Sequence, residues 1–165
     1  MKIQKQISDW LNAYLIQNEL SSFVIGISGG VDSAVTSTLC AMTGKKTILL
    51  IMPIHQNPNE THRGEKHCDW LKKIYPNTEI IKMDLTTLYS EYLKVVPEKF
   101  HNKLALANTR ARIRMSVLYL IAGKSDGIVV GKIISECLAR LFHQISLTTI
   151  VSGFDVAFVS FDKSI

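Results

Sequence analysis

Four short apolar runs, separated by longer segments with helical spacing, constrain the fold of this chain more than any other feature. They are rich in β-branched residues and too short for buried helices, so they predict strands that are covered on both faces. Alternation of strand and helix is typical of parallel sheets with right-handed crossovers. We therefore predict an α/β fold, a doubly wound parallel sheet with helices on both faces. The predicted strands are Phe23–Ile27, Thr47–Met52, Thr78–Met83 and Gly127–Gly131.

The segments between the runs predict helices, and some carry start signals. Residues 1–20 have apolar residues at i, i+3 and i+4, the stripe of an amphipathic helix. Asn57, Pro58 and Glu60 have the order of a cap, a first helical residue and a capping-box acid. Asp84 is expected to cap a further helix. The other predicted helices cover 33–42, 57–75, 84–94 and 102–122.

The first predicted strand leads into a glycine-rich segment, SGGVDS, at residues 28–33. Ligands of doubly wound sheets bind beyond the carboxyl ends of the strands. Gly29 and Gly30 open backbone conformations that a Cβ forbids, and the amides of the following helix start, with the hydroxyls of Ser28 and Ser33, form an anion cradle of phosphate size. The Asp32 carboxylate would repel a phosphate unless it held Mg²⁺ that bridges to the phosphate oxygens. We therefore predict a magnesium-dependent phosphate site with Asp32 as the metal ligand.

This segment matches neither of two common phosphate-binding motifs. It lacks the lysine of G-x-x-x-x-G-K-[ST], and it is not G-x-G-x-x-G. The plainer alternative is a glycine-rich turn in which Asp32 only caps the next helix.

The net charge and the pattern of apolar, cysteine and histidine residues indicate which ligands the protein binds and in which cellular compartment it lies. The formal net charge is +5, without a basic run, which fits an anionic small molecule such as a nucleotide better than nucleic acid. No apolar run approaches the roughly 20 residues of a membrane span. The three cysteines form no C-x-x-C pair, so we expect reduced thiols in a cytoplasmic protein. The histidines have no recognised metal-ligand spacing, and His55 is a candidate nucleotide neighbour because it follows the second strand.

Three arginines lie on the last long predicted helix. Arg110 and Arg114 are four residues apart and share a face, whereas Arg112 points roughly opposite. A solvated charged face is the usual role of such residues. Here Ala, Leu, Ile and Met surround them, so we expect at least one arginine to meet a buried anion.

Three segments in order carry a family resemblance. SGGVDS resembles the pyrophosphate-binding loop of the N-type ATP pyrophosphatases, which split ATP between its α and β phosphates. MPIHQNPNETHRGE, and NKLALANTRARIRMSVLYLIAG followed by GIVVG, are similar to segments of the ammonia-dependent NAD synthetases. The resemblance covers about residues 1–131 and implies an adenine nucleotide alpha hydrolase-like fold.

The resemblance also implies an activity and site residues. The activity is amidation of deamido-NAD by ammonia, driven by ATP through an adenylated intermediate, with release of AMP and pyrophosphate, in a cytoplasmic homodimer. Arg112 matches the arginine that contacts deamido-NAD, Asp32 would bind Mg²⁺, and no catalytic residue is assigned. The alternatives are another adenylating N-type ATP pyrophosphatase and a catalytically dead nucleotide-binding remnant. The implied ATP-binding residues are Gly26, Ile27, Ser28, Gly29, Gly30, Val31, Asp32 and Ser33.

Residues 132–165 depart from the family pattern. Lys132 stands where the family has threonine, and Glu136 has the wrong surroundings to be carried over as a second metal ligand. We therefore expect one ATP pyrophosphatase-type domain over 1–165 that is incomplete at its C-terminus, with a tail typical of a frameshifted or truncated reading.

Overall fold

A four-stranded parallel sheet forms the centre of the computed structural model, which describes residues 3–131. The strand order is β3-β2-β1-β4, and β1 pairs with β2 in register, so that Gly26 lies opposite Leu50. The predicted parallel sheet is confirmed, whereas the predictions on residues 132–165 lie outside the described residues. The strands are β1 (Ser22–Ile27), β2 (Lys46–Ile51), β3 (Thr78–Lys82) and β4 (Gly127–Val129).

Helices cover both faces of this sheet, as the doubly wound prediction requires. Along β1, Phe23, Ile25 and Ile27 pack on the side of the first three helices, and Val24 packs on the side of the last two. None of the helices within residues 3–131 has both the length and the hydropathy to cross a bilayer. The helices are α1 (Ile3–Gln17), α2 (Val31–Ala41), α3 (Pro58–Ile74), α4 (Thr86–Val95) and α5 (Lys103–Lys124), with a 3₁₀ turn at Glu98–Phe100 between α4 and α5.

Two of the predicted helix starts differ in detail from the structure. Asn57 caps α3 as predicted, since its side chain accepts a hydrogen bond from the Asn59 amide at 2.9 Å. The Glu60 carboxylate accepts from the side chain of Gln56 at 3.1 Å instead of completing a capping box. The helix predicted to begin at Asp84 begins two residues later, because Asp84 Oδ1 accepts the Thr86 amide at 2.8 Å in a turn before the helix.

Two cysteines lie in the core between the sheet and the first helix layer. Cys40 of α2 and Cys68 of α3 are buried free thiols. Burial raises the pKa of both thiols, and the pKa of Cys68 reaches about 12. Neither thiol is therefore available as a thiolate at neutral pH.

Candidate functional site

The phosphate loop, residues 28–33, turns from β1 into α2 and depends on one of its two glycines. Gly29 has a φ of +79°, and a Cβ there would lie 2.2 Å from the carbonyl oxygen of Glu60. Gly30 has an ordinary extended conformation, with φ −93° and ψ 162°, and a Cβ there would meet only Ser28 Oγ, at 3.3 Å. The prediction that the glycines adopt conformations closed to other residues is therefore confirmed for Gly29 and wrong for Gly30.

The two serine hydroxyls of the phosphate loop bond within the loop. Ser33 Oγ donates to the Gly30 carbonyl at 2.9 Å and accepts from the Ser28 amide at 3.3 Å. Ser28 Oγ accepts from the Gly30 amide at 3.2 Å. Among the hydrogen bonds of the described part, none uses the amides of Val31, Asp32 or Ser33, because the first turn of a helix has no internal acceptor for them. These backbone amides, more than the hydroxyls, are the donors that remain for an anion.

A cavity of about 290 Å³ opens beside the phosphate loop at the carboxyl ends of β1 and β4. Four of the eight predicted ATP-binding residues line it: Gly26, Ser28, Asp32 and Ser33. Its remaining lining comes from Ile25, Thr36, Val130 and Gly131. The cavity lies where doubly wound sheets bind ligands, and it combines backbone donors with one carboxylate.

Asp32 lies in the first turn of α2 and is exposed. The N-cap of this helix is Gly30, without a side-chain cap, so the alternative in which Asp32 only caps the helix is wrong. Residues 3–131 hold no group of three or more His, Cys, Asp or Glu side chains arranged for a metal. A single carboxylate is nevertheless a common magnesium donor where substrate phosphates supply the other ligands. Asp32 therefore fits an ion that arrives with a nucleotide.

The opposite side of the phosphate loop faces α3. A second cavity of about 170 Å³ lies there, and Arg63 and His67 of α3 line it. The remaining four predicted residues, Ile27, Gly29, Gly30 and Val31, line this cavity, and Ser33 lies beside both. The predicted ATP-binding set is thus divided between the two sides of the loop.

The part of α3 that supports the phosphate loop was not predicted from the sequence. Arg63 Nε donates to the Gly29 carbonyl at 3.4 Å, and Gln56 Nε2, just before the helix, donates to the Ser28 carbonyl at 3.3 Å. Gly64 is buried against the loop, where a Cβ would meet Ile27 Cγ2 at 3.2 Å. An isolated glycine inside a helical pattern was the one available signal, since it usually has a packing reason.

The arginines of α5 meet neutral partners within the described residues. Arg114 is half-buried, and its Nε donates to the Met52 carbonyl at 2.8 Å; burial first, and then the charge of Arg110, lower its pKa. The Arg110 guanidinium lies 5.7 Å from the centre of the Tyr89 ring. Arg112 is exposed and lines neither cavity, so its contact with deamido-NAD stays a prediction. The expected buried anion is not found in residues 3–131.

His55 follows β2 but also lies away from both cavities. Its φ is +45°, its amide donates to Thr86 Oγ1 at 3.3 Å, and its ring meets the Tyr89 ring edge-on at 6.0 Å. Its role as a nucleotide neighbour stays a prediction.

Fold and loop together define a class: a doubly wound α/β protein whose glycine-rich loop joins its first strand to a helix N-terminus beside a ligand-sized cavity. Comparison with known proteins gives the particular family. A family model described as NAD synthase matches residues 3–137, and the chain belongs to this family.

Individual relatives agree with this assignment. A protein from Methanocaldococcus jannaschii named NH(3)-dependent NAD(+) synthetase is 32% identical over 136 residues, which are 79% of this chain and 50% of that protein. An NH3-dependent NAD synthetase structure from Campylobacter jejuni has a TM-score of 0.70 at 26% identity, over 79% of this chain and 55% of that one. A structure described as NMN synthetase from Francisella tularensis has a TM-score of 0.70 at 29% identity, over 78% and 52%. This chain spans about half the length of the curated relatives it matches.

Proposed function

We propose that this protein binds ATP with Mg²⁺ at the phosphate loop and uses it to amidate deamido-NAD with ammonia. One observation carries the proposal: in a member of the NAD synthase family, Asp32 and Ser33, whose amides are unpaired in the first turn of α2, line the same cavity, and Asp32 adds a carboxylate to it. That combination suits a triphosphate whose charge is partly balanced by a metal ion.

The proposed reaction needs positioning and charge stabilisation more than proton transfer. A carboxylate oxygen of deamido-NAD attacks the α-phosphorus of ATP, and the bond to the β-phosphate oxygen breaks, which gives an acyl adenylate and pyrophosphate. Ammonia then attacks the acyl carbon, loses a proton, and displaces AMP to leave the amide. The amides of Val31, Asp32 and Ser33 would hold the departing pyrophosphate through the positive end of α2. Mg²⁺, when bound, would neutralise charge on the phosphates, and Asp32 would hold it.

The identity of the amidated nucleotide is a separate choice. The Francisella tularensis relative is named for NMN, whereas the M. jannaschii and Campylobacter jejuni relatives are named for NAD. We favour deamido-NAD because the family and the curated relatives are named for NAD synthesis, and amidation of deamido-NAD gives NAD; we keep the mononucleotide as the second candidate. Arg112 is the residue we propose to contact this substrate, since a guanidinium pairs well with a phosphate or carboxylate.

Assembly and compartment are part of the same proposal. Leu120 of α5 is 74% exposed, and we propose that it lies in the interface of a homodimer to which α5 contributes. The reduced, buried Cys40 and Cys68 favour the cytoplasm. Sedimentation of the wild-type chain and of Leu120→Glu tests the dimer, which the substitution should dissociate.

Calorimetric titration with ATP tests the site itself, with and without Mg²⁺. Wild-type protein should bind ATP more tightly when Mg²⁺ is present. Asp32→Asn should weaken binding of the magnesium complex by about 10- to 100-fold, the effect of losing a charged ligand, while metal-free ATP binds the variant at least as well as wild type because the repulsion is gone. Asp9→Asn is the matched control, since Asp9 is exposed, lines neither cavity and forms an ion pair with Lys5.

Turnover assays then separate the candidate functions. We expect ATP- and ammonia-dependent formation of NAD from deamido-NAD, with the mononucleotide as the parallel substrate. ATP binding without turnover of either substrate would favour the dead remnant or another adenylating enzyme. An absence of ATP binding by the wild-type chain would refute the proposal.

A further inference from the structure

His67 of α3 makes a close polar contact with α2 on the side of the phosphate loop that faces α3. Its Nε2 lies 2.8 Å from Ser37 Oγ in α2, and Ser37 Oγ also lies 2.8 Å from the Ser33 carbonyl oxygen. Ser37 is fully buried, with 0% of its surface exposed. A hydroxyl has one proton, and a carbonyl oxygen only accepts. Ser37 Oγ also lies 3.1 Å from the Ala34 carbonyl oxygen, a second acceptor for the same proton. The contacts with His67 and with the closer carbonyl, that of Ser33, are both satisfied only when Ser37 donates to Ser33 and His67 Nε2–H donates to Ser37.

This chain of hydrogen bonds ends at the residue that closes the phosphate loop. Ser33, whose carbonyl accepts from Ser37, also has the hydroxyl that accepts the Ser28 amide and donates to the Gly30 carbonyl. His67 is thereby connected through Ser37 and Ser33 to both ends of the loop. Burial lowers the pKa of His67, which favours the neutral ring with its single proton.

The surroundings of His67 indicate that its hydrogen bond to Ser37 holds the loop more firmly than the other polar contacts from the α3 region do. Glu60 and Gly64 of α3 approach the loop closely at Gly29, but a cavity of about 170 Å³ lies beside His67 and Ser33, so the loop is less tightly packed there. The two other polar contacts from the α3 region, by Gln56 and Arg63, are longer, at 3.3 and 3.4 Å. Arg63 is exposed, whereas His67 is half-buried.

We propose that His67 is a positioning residue for the phosphate loop: through Ser37 it fixes Ser33 and so holds the loop amides in the arrangement that receives phosphates. The inference rests on the proposed ATP site. It assigns to α3 a role in nucleotide affinity that extends beyond the residues lining the first cavity.

Two substitutions of His67 separate this role from space filling. The amide nitrogen of His67→Gln reaches the position of Nε2 and keeps the donor, whereas that of His67→Asn reaches only the position of Nδ1. Magnesium-ATP titrated into the full chain should bind His67→Asn about three- to tenfold more weakly than wild type, the effect of one lost hydrogen bond, and His67→Gln within about twofold of wild type. Ser37→Ala should resemble His67→Asn, and the double variant should be no weaker than either single one.

Several outcomes would overturn the inference. Equal affinities of His67→Gln and His67→Asn would show that the donor is irrelevant, and additive losses in the double variant would show that His67 and Ser37 act independently. If the wild-type chain binds no ATP, the proposed function fails, and amide hydrogen exchange decides the role of His67. The amides of Gly30 and Ala34 should then exchange faster in His67→Asn than in His67→Gln, and equal rates would refute the positioning role.

Discussion

Replacing Gly29 with alanine tests the geometry of the phosphate loop most directly. The first cost is conformational: Gly29 has a φ of +79°, and a residue with a Cβ in this left-handed region costs about 1–2 kcal/mol. The second is steric, since the new Cβ would lie 2.2 Å from the carbonyl oxygen of Glu60. Loop and α3 would have to separate by about 0.8 Å before this contact reached the 3.0 Å that such atoms tolerate.

The steric clash is between the loop at position 29 and the backbone of α3 at Glu60, so no flexible side chain can move to relieve it. Overpacking of this kind typically destabilises a protein by about 1–3 kcal/mol. We therefore expect Gly29→Ala to lower the free energy of unfolding by about 2–5 kcal/mol. Gly44→Ala isolates the conformational part, because Gly44 has a φ of +75° and nothing lies within 4 Å of a Cβ built there. Gly30→Ala has neither cost and should stay within about 1 kcal/mol of wild type.

Urea unfolding followed by the fluorescence of Trp10 and Trp70 measures all three variants. Stability should decrease in the order wild type, Gly44→Ala and Gly29→Ala, with Gly30→Ala close to wild type. Gly29→Ala should also bind ATP more weakly at temperatures where it is still folded. If Gly29→Ala were no less stable than Gly44→Ala, the close approach of α3 to the loop would be wrong.

Three further predictions concern a helix cap, a carboxylate and the buried thiols. Asn102 caps α5 by accepting the Ala105 amide at 2.9 Å, so Asn102→Ala should lower the free energy of unfolding by about 1 kcal/mol in urea titrations. Hydrogen bonds from the helix start lower the pKa of Asp84 below its ordinary 3.8, so its stabilising effect is complete above that pH and is lost as the pH falls through the folded-state pKa. Asp84→Asn should therefore flatten the fall in stability between about pH 5 and about pH 3, measured by urea unfolding at each pH. Cys40 and Cys68 should resist iodoacetamide at about pH 8 in the folded protein and react in urea, as peptide mass spectrometry can show; rapid labelling of either in the native state would contradict their burial.

The fold could be predicted because its strands are continuous apolar runs. The prediction for β1 began at Phe23 and the strand begins at Ser22, so burial on both faces located it to one residue. Boundaries failed where side chains compete with the backbone. Asp84 takes the Thr86 amide and delays the start of α4. β4 ends at Val129, two residues before its predicted end, although the Val130 amide still bonds to the Val24 carbonyl.

Only the part of the site that is built from residues close together in the sequence could be predicted. The turn from strand to helix and the position of Asp32 follow from neighbouring residues. The support from α3 does not, because Gly29 and Gly64 meet only after the chain has crossed β2, and no local pattern encodes that approach. The sequence pattern predicts the same role for both glycines, whereas a close neighbour and a left-handed φ distinguish Gly29 from Gly30.

The absence of a basic residue from the phosphate loop explains why a carboxylate can belong there. Residues 26–33 contain no Lys or Arg, and the Arg63 guanidinium bonds to the Gly29 carbonyl on the side of the loop that faces the second cavity. None of the described residues that line the first cavity is basic, so the positive potential that they supply comes from the helix N-terminus, which carries only about half an elementary charge. That potential is too small for the several negative charges of a triphosphate, and Asp32 reduces it further. We therefore expect a loop of this kind to favour a nucleotide that brings its own cation, and we propose that the carboxylate selects the magnesium complex over the free nucleotide.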